Sequence, residues 1–187
     1  IAVAALEEGV IGLNDTVNCT GIYKEISPAL RCWIYPGQHG PLDVVHGIQN
    51  SCNVFFSEMG HRLSMDENGN YSPELGIEKI RKYASLFGLD ETSGIEIAER
   101  EPQMTTEKPE ASSIGQGKNS YSNVQLSRYI TAVANKGTVF KLSLLDKMTD
   151  SQGNLLEDFT PEVRSVIDVK DSTWNAVHTG MRRVISD

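Results

Sequence analysis

A chain of 187 residues is long enough to bury one core of its own. Its 17 Lys and Arg stand against 25 Asp and Glu, a net charge of −8, which argues against nucleic acid as a partner because phosphate binding needs clustered cations. The apolar fraction is 39%, on the low side of ordinary, and no run approaches the roughly 20 apolar residues that span a bilayer or resembles a signal peptide.

Residues 1 to 8 read as the tail of a helix ended by Gly9. The chain starts inside an apolar run without an N-cap residue, so the reading expects an element cut at this end. Residues 10 to 40 read as loop with short extended pieces, punctuated by Asn14-Asp15, Gly21, Pro28 and Pro36-Gly37. Apolar residues at 42, 44, 45 and 48, then at 54, 55, 56, 59 and 63, predict two helices with a polar break between them. Asp66 to Pro73 is a polar turn, and Leu75, Ile77, Ile80, Tyr83, Ala84 and Phe87 mark an amphipathic helix closed by Gly88. Glu99 to Ser112, rich in Glu and Pro, reads as an extended loop. Positions 124, 126, 129, 130 and 133 mark a further helix closed at Gly137. Val139 to Met148 alternates as a strand, with a turn at Asp150 to Asn154 and a partner strand near Leu155. Asp171-Ser172 cap a last helix through Ile185. The pairs Arg81-Lys82 and Arg182-Arg183 read as solvated helix faces.

The polar break is Ser51-Cys52-Asn53. A hydroxyl and a carboxamide presented together from a helix junction can relay a proton and hydrogen-bond a substrate amide. The same two side chains also serve ordinary caps and turns. Three cysteines, Cys19, Cys32 and Cys52, lack a Cys-x-x-Cys spacing, so the reading assigns no metal and no cofactor. Cys19 and Cys32 flank a loop of about a dozen residues that a disulfide would close with a gain of about 3 kcal/mol; two free thiols are the alternative. Cys52 reads as a small buried group. His46 and His61 lie near it in sequence, which keeps a cysteine hydrolase as a minor alternative. His39 and His46 read as structural, bonded to loop carbonyls.

The stretch His39 to Phe56, with Ser51-Cys52-Asn53 inside it, resembles the second active-site motif region of class B penicillin-binding proteins, the transpeptidases that cross-link peptidoglycan. Ile1 to Val10 is similar to the helix after that family's nucleophile. Phe87-Gly88-Leu89 with Thr92-Ser93-Gly94-Ile95-Glu96-Ile97 resembles its "FG…TGI" segment. Ile114-Gly115-Gln116-Gly117, Ser122 to Leu126 and Ala132 to Gly137 resemble its "GQG…TPLQLA…AANGG" block, and Gly180-Met181-Arg182-Arg183-Val184 its "GM..V" helix end.

The resemblance implies a helix-rich α+β fold, an incomplete penicillin-binding protein/serine β-lactamase-like domain comprising the helical subdomain and part of the sheet. Residues 1–187 are then the central part of a transpeptidase domain, truncated at both ends. Acyl-serine chemistry needs a Ser-x-x-Lys and a Lys-Thr/Ser-Gly. No serine of this chain has a lysine three positions on, and Lys136-Gly137-Thr138 has the third motif's letters in another order. Both motifs are therefore expected outside the chain, which alone is expected to be inactive.

By the same resemblance, Ser51 is the second-motif serine that relays a proton, Asn53 binds the substrate amide, and Gln116 is a weaker substrate-binding candidate for which packing is the ordinary role. The implied partners are the D-Ala-D-Ala stem peptide, β-lactams and, in the whole protein, a glycosyltransferase acting on lipid-linked precursors. The implied location is the extracytoplasmic face of the bacterial membrane, with the anchor outside this chain. A non-catalytic binding or scaffold module of the same fold and a β-lactamase or β-lactam-sensor relative remain as alternatives. The missing strands predict exposed apolar surface or self-association.

Overall fold

The computed structural model describes residues 1–186. Among them are seven helices: α1 (Ala2–Glu7), α2 (Val44–Gln49), α3 (Asn53–Leu63), α4 (Pro73–Leu86), α5 (Pro109–Ser112), α6 (Asn123–Ala134) and α7 (Asp171–Ser186). Eight short strands accompany them: β1 (Val17–Cys19), β2 (Ile22–Tyr23), β3 (Leu30–Arg31), β4 (Gly40–Leu42), β5 (Thr138–Lys141), β6 (Lys147–Thr149), β7 (Leu155–Asp158) and β8 (Glu162–Val166). They pair antiparallel two by two, β1 with β4, β2 with β3, β5 with β8 and β6 with β7. The helix-rich α+β class read from the sequence is the class observed.

The chain divides into two compact units, one of Ile1–Tyr83, Met104–Asn119 and residues 169–186, the other of Ala84–Gln103 and Ser120–Asp168. In the first, Ala5, Val17, Leu42, Phe55, Met59 and Ala176 belong to one buried cluster, so α1, α3, α7 and the β1–β4 ladder share a core. Asp43 starts α2, its carboxylate accepting the His46 N–H at 2.9 Å. Gly180 lets α7 lie close on α2: a Cβ there would stand 2.8 Å from the Ile48 Cβ and 2.9 Å from the Val45 carbonyl oxygen. Because one of those atoms is backbone, Gly180→Ala should destabilise the fold by about 1–3 kcal/mol, read from a urea midpoint.

Glu8, just after α1, accepts Lys82 Nζ at 2.7 Å and the Tyr83 hydroxyl at 3.0 Å. The Lys82 hydrogen bond, against partial burial, holds its carboxyl below the usual carboxylate range. A depressed folded value means that the contribution is complete above the unfolded carboxylate pKa and is lost as pH falls through the folded one. Glu8→Gln should therefore cost up to about 1 kcal/mol at neutral pH and nothing once Glu8 is protonated, in urea titrations at the two pH values.

In the second unit, Ser122 and Gln125 form a capping box at the start of α6: Ser122 Oγ accepts the Gln125 N–H at 3.1 Å and Gln125 Oε1 accepts the Ser122 N–H at 2.8 Å. Two sequence expectations need correction. The single strand over Val139 to Met148 is two, β5 and β6, because Leu142 N–H donates to the Ser93 carbonyl at 3.0 Å and Glu96 takes the Leu144 N–H at 2.8 Å and the Ser143 hydroxyl. The loop expected over Glu99 to Ser112 ends in α5, in the first unit, where Pro109 sits at the helix start and Glu110 is 2% exposed, bonded by the Tyr71 hydroxyl at 2.9 Å and close to His61 Nδ1 at 3.3 Å. Exposed apolar surface is present on the β6–β7 hairpin and the residues before it, at Leu144, Leu145, Met148, Leu155 and Leu156.

Candidate functional site

Ser51 and Asn53 lie where the polar break places them, between α2 and α3. Ser51 N–H donates to the Ile48 carbonyl at 3.0 Å and its backbone is left-handed, φ 46°. A non-glycine residue there costs about 1 kcal/mol or more, a strain typical of functional turns. Its side chain is exposed. Asn53 opens α3 and donates Nδ2 to the Arg31 carbonyl at 3.0 Å, which orients the carboxamide and leaves Oδ1 as its acceptor.

Gly47 sets the angle of this junction. A Cβ at that position would lie 2.7–3.0 Å from three atoms of the Phe55 ring, so α2 and α3 close on each other only with glycine there. Gln116 is exposed in the turn after α5, where its N–H bonds the Ala111 carbonyl at 3.0 Å and its carbonyl accepts Asn119 Nδ2 at 3.4 Å. Those bonds are local and join it to neither Ser51 nor Asn53.

His46 is structural, as expected, although its partners are not loop carbonyls. Arg183 Nη1 lies 2.9 Å from Nε2, which makes Nε2 the acceptor and Nδ1–H the donor to Asp43 at 2.8 Å. Burial would raise the Asp43 carboxyl, but the His46 N–H and ring and the Val45 N–H hold it below its ordinary value. Arg183, read as a solvated cation, thus belongs to this chain of contacts.

All three cysteines are free thiols, the second of the two readings of Cys19 and Cys32. Cys19 and Cys52 are fully buried and Cys32 nearly so, and with His39 their ligand atoms all lie within 4.8 Å of one another. Cys52 packs as a small buried group, and it also caps α3, its sulfur accepting the Phe55 N–H at 3.4 Å. Burial pushes the Cys52 thiol up. Burial acts the same way on Cys32, where N–H groups of Ile34, Asn53 and Val54 outweigh it and bring the thiol below its ordinary value. Burial also lowers His39, favouring the neutral ring. His39 turns Nδ1 to two sulfurs rather than to a carbonyl, in a four-residue cluster that the spacing did not announce. The signal was the residue types alone, because intervals of 13, 7 and 13 residues match no short metal-binding motif.

The model of the penicillin-binding protein transpeptidase domain matches residues 1–187. The chain belongs to that family. Penicillin-binding protein 2A of Bacillus subtilis (strain 168) is 26% identical over 200 residues, covering 96% of the chain and 26% of that protein. Peptidoglycan D,D-transpeptidase MrdA of Escherichia coli (strain K12) is 26% identical over 198 residues, covering 97% of the chain and 29% of that protein. The chain thus spans less than a third of either relative. A solved structure described as the structural coordination of polymerization and crosslinking by a peptidoglycan synthase complex superposes with a TM-score of 0.82 at 22% identity, over 100% of the chain and 31% of that one. The class B resemblance and the partial transpeptidase fold read from the motifs are both borne out. Among the described residues no helix is long and apolar enough to cross a membrane.

Proposed function

We propose that the chain is the middle of a peptidoglycan D,D-transpeptidase, contributing the second active-site motif to an acyl-serine reaction whose nucleophile and lysine it does not itself supply. The observation that carries this is the Ser51–Asn53 turn: a strained, exposed serine beside a carboxamide already oriented by Arg31, in a chain matched end to end by the family model. In the reaction, a serine hydroxyl attacks the carbonyl of the penultimate D-Ala, the terminal D-Ala leaves, and the acyl-enzyme passes its acyl group to an amine of a second stem peptide. Ser51 Oγ passes a proton toward the leaving amine, and Asn53 Oδ1 accepts an N–H of the bound peptide. A β-lactam takes the place of the stem peptide in the first half of this sequence. Gln116 is kept as a weaker substrate contact.

The partners that follow are the D-Ala-D-Ala stem peptide, β-lactams and, for the whole protein, a glycosyltransferase using lipid-linked precursors. The place of work is the outer face of the bacterial membrane. Fluorescent penicillin followed by a denaturing gel tests the reading on this chain and on the whole protein. Labelling of the whole protein alone is the expected result. A folded whole protein that takes no label would transfer the weight to a non-catalytic module, and labelling of the 187-residue chain would place the nucleophile inside it. In the whole protein, Asn53→Ala should slow acylation by about tenfold or more, the equivalent of one lost hydrogen bond of about 1.5 kcal/mol, measured as the second-order labelling rate.

A further inference from the structure

We propose that a cavity of the first unit, between the β2–β3 connection, the first turns of α4 and α5, binds a primary ammonium carried on an unbranched alkyl stem. The cavity holds about 730 Å³, within the roughly 300–1,000 Å³ of small-ligand pockets. Ile26 from the connection, Leu30 from β3, Ile77 from α4 and Pro109 and Ala111 from α5 form its apolar walls. Every lining residue belongs to the first unit and none to the Ser51–Asn53 turn, so this site is additional to the second active-site motif.

The polar lining selects a cation. Glu110 is 2% exposed yet lines the cavity, and both of its contacts fall on Oε1, with the Tyr71 hydroxyl at 2.9 Å and His61 Nδ1 at 3.3 Å. Oε2 has no hydrogen-bond partner among the described residues and is left as an acceptor. Burial and the Glu110 carboxylate push the Tyr71 hydroxyl up to about 12, so it stays a donor to Oε1. Glu74 and Glu78 stand one turn apart on the face of α4 that also carries Ile77 and Arg81. Glu78 is exposed and makes no hydrogen bond or ion pair among the described residues. With Glu107, the lining holds four carboxylates against two cations, Arg81 and Lys108. Arg81 directs Nη1 to the Thr105 carbonyl at 3.1 Å, and Glu107 is met by Lys118 at 3.3 Å.

Two further features narrow the cation. The Tyr71 ring stacks on His61 with one face, at 4.9 Å between centroids and 18° between planes, and is 43% exposed, so its other face can carry a positive charge. Because Glu110 Oε1 is already bonded, the buried carboxylate offers a single oxygen. A guanidinium fork is matched to both oxygens of a carboxylate, whereas a compact ammonium is satisfied by one. The apolar walls beside that oxygen fit a methylene stem, which buries its carbons and leaves only its head to the acids.

The test uses the whole protein and reads binding, not penicillin labelling. Pentylamine and N-pentylacetamide, the same stem with and without charge, are titrated against protein carrying carbon-13 isoleucine methyls. Pentylamine should shift the Ile26 and Ile77 methyls and bind about tenfold or more tighter than the acetamide. Glu110→Gln should remove that preference, but it alters a buried group and can fail to fold. Glu78→Lys, at an exposed residue without partners, should remove it too while the remaining methyl signals keep their positions. Nα-acetyl-lysine amide and 1,5-diaminopentane then separate the sources of the amine: tighter binding of the first supports the site as one for a peptide side chain, tighter binding of the second as one for a free polyamine. Equal affinities for pentylamine and the acetamide, unmoved Ile26 and Ile77 methyls, or an unchanged pentylamine affinity in Glu78→Lys would each overturn it.

Discussion

Arg128→Met should destabilise the chain by about 3–5 kcal/mol, the largest loss expected from any single side chain of the second unit. Arg128 is 2% exposed, yet its guanidinium donates to three carbonyls, those of Gly88, Glu91 at 3.2 Å and Thr92 at 3.1 Å, and to the Glu91 carboxylate at 3.3 Å. Gly88, left-handed at φ 73°, follows the end of α4, where helix carbonyls have no partner of their own. Removing the fork leaves buried acceptors unsatisfied at about 1–3 kcal/mol each. The Glu91 carboxylate adds less, because it is exposed enough to recover water and also meets Arg164. Arg128→Lys should lose nearly as much, since one ammonium cannot reach three diverging carbonyls. The check is urea unfolding of the three proteins; a Met variant within about 0.5 kcal/mol of the parent would show that those carbonyls find other donors.

The parts legible in the sequence were those governed by local periodicity. The 3.6-residue spacing of apolar side chains located α2, α3, α4 and α6, the polar pair Asp171-Ser172 marked the start of α7, and Asp150 to Asn154 located the β6–β7 turn, because those patterns act within a few residues. Legibility failed where a distant side chain decides the backbone. Glu96, nearly fifty residues away in sequence, breaks the expected strand at Ser143 and Leu144. The strand β8 carries only Val163 and Val166 as apolar markers, both exposed, so no alternation announced it. Arg128 falls between the apolar positions of α6 and gives no sign from spacing alone that it is buried.

The site shows the same division. Ser51-Cys52-Asn53 could be placed at a helix junction because it is a polar break between two apolar helical patterns, 42 to 48 and 54 to 63. The role of Cys52 could not be read, because its neighbours Cys19, Cys32 and His39 come together through the pairing of β1 with β4 and the packing of both against α3. A spacing rule sees only ligands held on one short loop. A cluster assembled from four segments is a tertiary property, and in the sequence only the residue types, three cysteines and a histidine, pointed toward it.

Ser51 should separate activity from stability more sharply than any other position. In the whole protein, Ser51→Ala and Ser51→Gly both remove the hydroxyl that relays the proton, so each should slow acylation by a penicillin by about 10²- to 10⁴-fold. Their stabilities should differ. At φ 46° alanine keeps the left-handed penalty of about 1–2 kcal/mol, whereas glycine is free of it. Against that gain glycine has a more flexible unfolded chain, a cost of about 0.4–1 kcal/mol. The glycine variant should therefore be the more stable of the two by up to about 1 kcal/mol, and equal to or above the parent. Labelling rates and urea midpoints on the same three proteins decide it. A slow but more stable glycine variant means that the turn carries strain for the sake of the hydroxyl. An active glycine variant would remove Ser51 from the reaction, and a glycine variant less stable than alanine would mean that the left-handed turn relaxes when the side chain changes.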